Sequence, residues 1–377
     1  MTPADTLPLV SVAYHRLFRV HPRYRWWRPL VALAIMLGFW LATQIVIAVV
    51  LLLIEFSIGG ADAARSFTTR LAKDPLDPSH PAVLALTLVS LAVLLPAMMV
   101  AVRLAGLGPI GQLSSVAFRI RWRWLARCLL PLAALAVLTV GVQAVGIPGV
   151  MSGYFVVRHG AFVPNMAEIG HPTVSATTTI VAIVMVIVLV PLQAAAEEYM
   201  FRGFVQQTVG SWVRNPIVAF VASTVCFGAA HVPNGYDPIA ILDVASFGFV
   251  AALLTWRTGG LEAGILAHAL NNVGIFVLQA PGWSKINPND GHESVLQLGI
   301  TVVTLFVYAF LVEISARRAG LIRRRPGREA PRLRHRAPSW VAAGADPADW
   351  GQIQQNDAGG PLSTGSMVEQ SGVGGAL

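Results

Sequence analysis

An almost unbroken apolar run begins near Thr178, and directly behind it Gln193-Ala-Ala-Ala-Glu-Glu-Tyr-Met-Phe-Arg-Gly203 sets two adjacent carboxylates and a guanidinium. A charged side chain at bilayer depth costs roughly 2.5 to 3.5 kcal/mol on insertion scales, so Glu197, Glu198 and Arg202 together imply roughly 10 kcal/mol before any pairing. A chain that keeps such groups there must pair them or use them. On a helix Glu198 and Arg202 are four residues apart and can pair, whereas Glu197 points about 100° away and is left without that partner. One glutamate is placed for structure and the other for chemistry.

The run is one of several. The 377 residues are 55% hydrophobic and 12% charged, which makes the chain an integral membrane protein of the all-α class, a polytopic helix bundle. Eight spans are expected, at 30–54, 82–102, 125–145, from 178 through the charged stretch, 216–231, 238–256, 261–278 and 295–314. Pro96 predicts a kink in the second. The first run is too long for the core of a signal peptide and is read as retained. Arg16, Arg19, Arg23, Arg25 and Arg28 precede it and fix the N-terminus in the cytoplasm, and an even number of spans returns the C-terminus to the same side of the cell membrane.

Three parts follow from this pattern: a cytoplasmic segment at 1–29, a transmembrane bundle at 30–316, and a tail at 317–377 that is basic and then disordered. Residues 112–127 alternate arginine with aromatics. Phe118, Trp122, Leu125 and Leu129 recur at helical spacing, so an interfacial cytoplasmic helix leading into the third span is expected. Residues 57–80 are read as an outer loop and 148–177 as a polar loop. The formal net charge of +8 sits largely near membrane edges and in the tail, which suits anionic headgroups. No basic-aromatic module for nucleic acid is present. Cys128 and Cys226 follow no CxxC pattern and are read as packing residues.

Further polar residues sit inside the downstream apolar helices. His231 closes Phe227-Gly-Ala-Ala-His, and His268 and Asn272 frame His-Ala-Leu-Asn-Asn. The His-to-Asn step of four residues puts both side chains on one helix face. Intramembrane ionisable groups usually face the bundle interior or a water-filled cavity, so Glu, His and His plus Asn from three helices suggest convergence on one site. Asp243 is a further membrane carboxylate without a motif. Asn271 is read as structural, and Glu262 and Arg257, flanking a Gly-Gly turn, as solvated.

Glu-Glu-x-x-x-Arg at 197–202, Phe-x-x-x-His at 227–231 and His-x-x-x-Asn at 268–272 resemble, in order and spacing, the three signature motifs of the CPBP family. That family comprises the type II CAAX prenyl endopeptidases and the bacterial bacteriocin-processing and self-immunity proteins. The resemblance covers roughly 178–280 and implies an eight-helix intramembrane protease acting on a membrane-associated peptide or protein. By that analogy Glu197 activates water with help from His231, His268 and Asn272 stabilise the oxyanion, and Glu198 with Arg202 locks the helix, against which Phe227 is a supporting residue.

The residues themselves allow the chemistry. Amide hydrolysis needs a base for water and donors aimed at the oxygen that gains charge, and a low dielectric strengthens those donors. Glu197, His231 and His268 could equally hold zinc or another divalent metal with a position left for water. The alternative class is a transporter or ion relay using the same buried groups. One geometric condition applies to either. If the fourth helix ended at Arg202, Glu197 would lie at the membrane edge, while His231 would sit about 22 Å along its own helix from Pro216. A helix continuing to about residue 210 brings the two level.

Overall fold

The computed structural model describes residues 10–147, 151–152, 155–159, 161–285 and 291–327. The chain is a bundle of long α-helices: α1 (Arg28–Lys73), α2 (Pro81–Ala92), α3 (Leu94–Leu104), α4 (Trp122–Val145), a single turn α5 (Met166–Ile169), α6 (Ala176–Glu198), α7 (Gln206–Trp212), α8 (Pro216–His231), α9 (Pro238–Thr258), α10 (Glu262–Gln279) and α11 (Val295–Arg318). Among the described residues, six stretches are long and apolar enough to cross a bilayer: α1, α2 with α3, the run Ala176–Trp212, α8 with its following turn, α9 and α11. Side chains such as Ile45, Leu53, Val184 and Phe310 stand exposed on their outer faces, as lipid contact requires. This is a multi-pass membrane protein. The spans expected at 125–145 and 261–278 fall on α4 and α10, which are not among the six. In α10 the polar residues Glu262, His268, Asn271, Asn272 and Gln279 interrupt the apolar sequence.

The breaks follow local chemistry. Pro96 cannot donate to the carbonyl of Ala92, and the helix is interrupted at Val93 between α2 and α3, so the expected kink is present. The first helix differs from its expectation. It does not end near residue 54 but runs to Lys73, broken at Gly59 and Gly60, where Gly60 takes a φ of +68°. Only the break is non-helical. Beyond it Phe67 and Leu71 turn back onto Ile47, Leu51, Val83 and Leu86, and residues 61–73 form a packed helical segment in place of an open loop.

Residues 112–127 also depart from the helix expected there. A 3-10 turn (Ile110–Leu113) is followed by a tight loop, and α4 begins only at Trp122. Ser115 accepts from the Ala117 amide and donates to the Arg119 carbonyl, the Val116 amide donates to the Gly259 carbonyl, and Phe118 has a φ of +59°. The aromatic spacing is compatible with a helix, but these bonds, one of them to the α9–α10 turn, decide the conformation.

The ends of the chain are tied to the same face. The strand β1 (Val10–Ala13) pairs antiparallel with a strand at Arg324–Gly327, which lies in the basic first part of the expected tail. The remainder of the tail lies outside the described residues. A 3-10 segment (Tyr14–Val20) buries Tyr14, Leu17 and Phe18 against Met98, Leu113 and Phe204, and the Tyr14 hydroxyl donates to the Leu113 carbonyl. Arg16 and Arg19 donate to the carbonyls of Gly210 and Ser211 at 2.9 and 3.1 Å, satisfying acceptors at the C-terminal end of α7. Gly210 permits this approach: a Cβ there would overlap the His15 carbonyl. Between α4 and α6, at and within the stretch read as a polar loop, the described residues include two antiparallel strand pairs, Gly146–Ile147 with Met151–Ser152 and Phe155–Arg158 with Ala161–Pro164. Cys128 is buried as expected, whereas Cys226 lies exposed.

Candidate active site

α6 is the element on which the site is built. It packs against α10 and α2, while α8 and α9 pack together beside it. Its Ser175 N-cap accepts from the Thr178 amide, and the segment continues without interruption to Trp212 through a π-helical stretch, Tyr199–Val205. At about 1.5 Å per residue the 37 residues span about 55 Å, far more than the roughly 30 Å of a bilayer core. The long fourth helix expected from sequence is therefore present, and Glu197 sits well inside it. Wide π turns accumulate where a helix must aim side chains at a site. The far end is locked by Tyr199 to Ser114 (2.6 Å between hydroxyls), Gln207 to the Gln112 carbonyl and Gln206 to the Ala252 carbonyl.

The two glutamates separate as their spacing requires. Arg202 donates to Glu198 Oε1 at 2.8 Å, both side chains being fully buried. The guanidinium also lies over the rings of Phe227 (4.1 Å) and Phe247 (5.5 Å), so aromatic faces cover the parts of Arg202 that make no hydrogen bond. Gly248 makes room for this stack, since a Cβ there would stand 3.2 Å from Phe227 and 3.4 Å from Arg202 Nη2.

His268 joins the two carboxylates. Its Nδ1 lies 3.0 Å from Glu198 Oε1 and its Nε2 faces Glu197 Oε2 at 3.7 Å. The contact to the Arg202-paired carboxylate assigns the Nδ1 proton, leaving Nε2 turned toward Glu197. The Nε2–Glu197 separation is too long for a direct hydrogen bond, and a water touching both atoms would sit to one side of the line joining them. Glu197 Oε2 is buried and has no hydrogen-bond partner among the described residues, while Oε1 accepts from Gln193 Nε2 at 2.6 Å. Asn272 Nδ2 donates in turn to Gln193 Oε1 at 3.5 Å. Gln193, Glu197, Glu198, His268 and Asn272 thus form one connected polar group across α6 and α10.

His231 takes a different position. Its Nδ1 donates to the Phe227 carbonyl one turn earlier at 2.8 Å, and its ring lies 4.6 Å from Phe227 and stacks at 6.4 Å on Tyr236. Phe227 also touches His268, at 5.9 Å between centroids. His231 therefore shares an aromatic wall with the cluster, and no hydrogen bond among the described residues joins it to Glu197 or His268. Burial pushes the Tyr236 hydroxyl above its usual range, a hydrogen bond with Asn234 opposes this, and the Glu197 charge adds to the rise.

The donor set does not fit a three-ligand metal centre. Among the described residues no three His, Cys, Asp or Glu side chains are grouped to hold an ion. Glu198 is taken by Arg202, and His231 is directed to a backbone carbonyl, so the expected Glu197, His231 and His268 ligand set is not assembled. Glu262 is corrected as well. It is fully buried beneath a bidentate contact from Arg121 (2.8 and 2.7 Å) and also accepts from the Arg121 amide. Arg257 pairs with Glu313 at 3.0 Å. Asn271 is exposed and donates to Asn272. Asp243 makes no hydrogen bond to any group of the cluster among the described residues. Gln193 stands at i,i+4 spacing to Glu197, a signal present in the sequence, whereas Phe247 and Tyr236 carry no local signal for the site.

Residues 178–274 match the family model described as type II CAAX prenyl endopeptidase Rce1-like. A protein of Bacillus subtilis (strain 168), described as uncharacterized protein YyaK, is 36% identical over 91 residues, covering 23% of this chain and 30% of that protein. The chain thus spans under a third of the length of the curated relative it matches. No solved structure matches it. The resemblance read from the three motifs is met over the segment from α6 into α10, which contains every residue of the polar cluster.

Proposed function

We propose that the chain is an intramembrane endopeptidase that hydrolyses a peptide bond of a membrane-associated protein or peptide. One observation carries the reading: His268 is held between two carboxylates, one locked to Arg202 and the other presenting an unpartnered oxygen 3.7 Å from the imidazole. The match to an endopeptidase family model over the same residues supports it.

In this reading a water rests beside the pair and touches both Glu197 Oε2 and His268 Nε2. Glu197 takes its proton, the hydroxide oxygen bonds to the carbonyl carbon of the substrate, and the carbonyl π electrons move to oxygen. Asn272, with one amide hydrogen on Gln193 and a second to give, stabilises that oxygen, while His268 Nε2 accepts the other hydrogen of the attacking water and so holds it in place. Collapse breaks the C–N bond, and the proton held by Glu197 passes to the departing amine. Glu198 is a positioning residue that orients His268. Gln193 holds the Glu197 carboxylate, and His231 helps to confine the water from across Phe227. Both termini and the arginine-rich end of the bundle face the cytoplasm. No step is routed through a metal, because the donors present do not form a ligand set.

The test compares membrane proteomes of cells containing the active chain with those containing Glu197→Gln, then cleaves the identified peptide with purified protein. Cleavage lost in Glu197→Ala and His268→Ala, with expression and folding intact, is the expected result. Unchanged cleavage would remove the proposal, and ion flux lost in its place would transfer the site to a transporter.

A further inference from the structure

A second polar site lies at the helix ends, apart from the buried cluster. The last turn of α9 and the segment after α11 form an open hollow of about 130 Å3 lined by Trp256, Arg257, Arg323 and Arg324. Glu313 gathers Arg257 (3.0 Å), Arg317 (2.7 Å) and Arg323 (2.9 Å) on its carboxylate. Three guanidinium groups share this one carboxylate and Arg324 lines the hollow beside them, so the hollow keeps a strong positive excess after these pairings are counted.

The arginines are held by backbone rather than by a loose tail. Gly259 has a φ of +72°, and a Cβ there would lie 2.7 Å from the Arg323 carbonyl oxygen, so residue 323 rests directly on the α9–α10 turn. Arg121 donates to the Ile322 carbonyl at 3.1 Å. Arg325 donates to the Val116 carbonyl and lies 3.7 Å over the Phe118 ring, and the strand at Arg324–Gly327 is paired with β1. A cationic site fixed in this way loses little conformational entropy on taking a ligand.

We propose that this hollow binds the phosphate of an anionic lipid headgroup. Its place at the ends of two membrane helices puts it at headgroup depth, where a tryptophan such as Trp256 is favoured. Basic pockets between helix ends are suited to acidic headgroups. Ile322, next to Arg323 on the segment that lines the hollow, is exposed and offers acyl chains an apolar surface that a free phosphate would not need. The inference does not depend on the proposed reaction, and its test reads no activity.

The full chain is purified into nanodiscs of phosphatidylcholine alone or with phosphatidylglycerol, and retained lipid is measured by native mass spectrometry after transfer to detergent. Wild-type protein is expected to retain phosphatidylglycerol over phosphatidylcholine, with inorganic phosphate at millimolar concentration unable to displace it. Arg324→Glu, an exposed change that leaves the Glu313 pairings in place, is expected to weaken retention at least about fivefold, from roughly 1 kcal/mol per basic residue near a membrane surface. Trp256→Ala is a second variant with the same expected direction. Arg123→Glu, an exposed arginine of α4, serves as the charge-matched control and is expected to leave retention unchanged. Equal retention by wild-type and Arg324→Glu overturns the site, as does an equal loss in Arg123→Glu. Ready displacement by inorganic phosphate overturns the lipid as its source.

Discussion

Gly264 of α10 lies against Glu198 of α6 so closely that a Cβ at position 264 would come within 2.9 Å of Glu198 Oε2. The glycine sets the distance between the two helices that share the polar cluster, and therefore the reach of His268, one turn further along α10, to Glu198. Gly264→Ala should force the helices apart or displace the carboxylate. Overpacking of this kind costs about 1–3 kcal/mol. A lowered thermal midpoint in detergent, with cleavage reduced by more than an order of magnitude, is expected. A variant as stable and active as the wild type would show that the contact relaxes without cost.

The adjacent glutamates should fail in different ways. Glu197→Gln keeps size and hydrogen bonding, leaves Arg202 paired, and should abolish cleavage with stability nearly unchanged. Glu198→Gln leaves a fully buried guanidinium with no anionic partner. Breaking a buried ion pair from one side costs about 3–5 kcal/mol, so this variant should lose thermal stability and membrane yield as well as activity. Thermal unfolding and turnover measured on both proteins separate the roles. Equal stability of the two variants would mean that the Arg202 pair is not structural.

Much of the site was legible because it is local. The four-residue steps from Glu198 to Arg202 and from His268 to Asn272 fix which side chains share a helix face, and the requirement that Glu197 meet other polar groups at depth predicted the helix through residue 210. What was not legible depends on partners distant in sequence. The Gly-Gly turn beside Glu262 looks like an exposed loop until Arg121, 141 residues earlier, is folded onto it. The spacing of Phe118, Trp122 and Leu125 fits a helix equally well whether or not Ser115 and Val116 bond elsewhere. His231 was grouped with the other site residues by motif, yet its ring nitrogen is committed to its own helix. Gly59-Gly60 marks a break, but nothing local says that helix resumes after it.

Gln193 links Glu197 to Asn272 and is buried, so its removal tests whether the carboxylate must be oriented. Gln193→Leu keeps much of the volume but withdraws the donor from Glu197 Oε1 and the acceptor from Asn272. A misplacement of about 1 Å in a catalytic group can cost on the order of 100-fold in rate. The expected signature is a turnover number lowered by roughly an order of magnitude or more while KM stays nearly constant. Gln193→Glu should not restore turnover, because a second carboxylate would then face the first. A change confined to KM would place Gln193 in substrate binding.

The Arg121–Glu262 pair joins the loop before α4 to the start of α10, and Glu262 has no exposed surface. Glu262→Gln removes the anion beneath a mostly buried guanidinium and should destabilise the fold by about 3–5 kcal/mol without touching the reacting groups. The double change Arg121→Met with Glu262→Leu removes both charges and should recover much of that loss. Thermal midpoints of the single and double variants form a cycle that measures the coupling. Additive losses would show that the two residues act separately and that the loop is held by its backbone bonds alone.

Metal dependence gives the sharpest contrast with the ligand set expected from sequence. A divalent ion at Glu197 and His268 would need a third donor, and the nearest carboxylate, Glu198, is already bound to Arg202, whose positive charge would repel the ion. Bringing His231 in would require breaking its bond to the Phe227 carbonyl and moving it past the Phe227 ring. Cleavage by the purified protein should therefore persist after dialysis against EDTA and 1,10-phenanthroline, and elemental analysis should find zinc well below one ion per chain. Activity that falls with chelator and returns with zinc would require His231 to swing toward Glu197 in the working enzyme, and the His231→Ala variant would then lose both zinc and cleavage together.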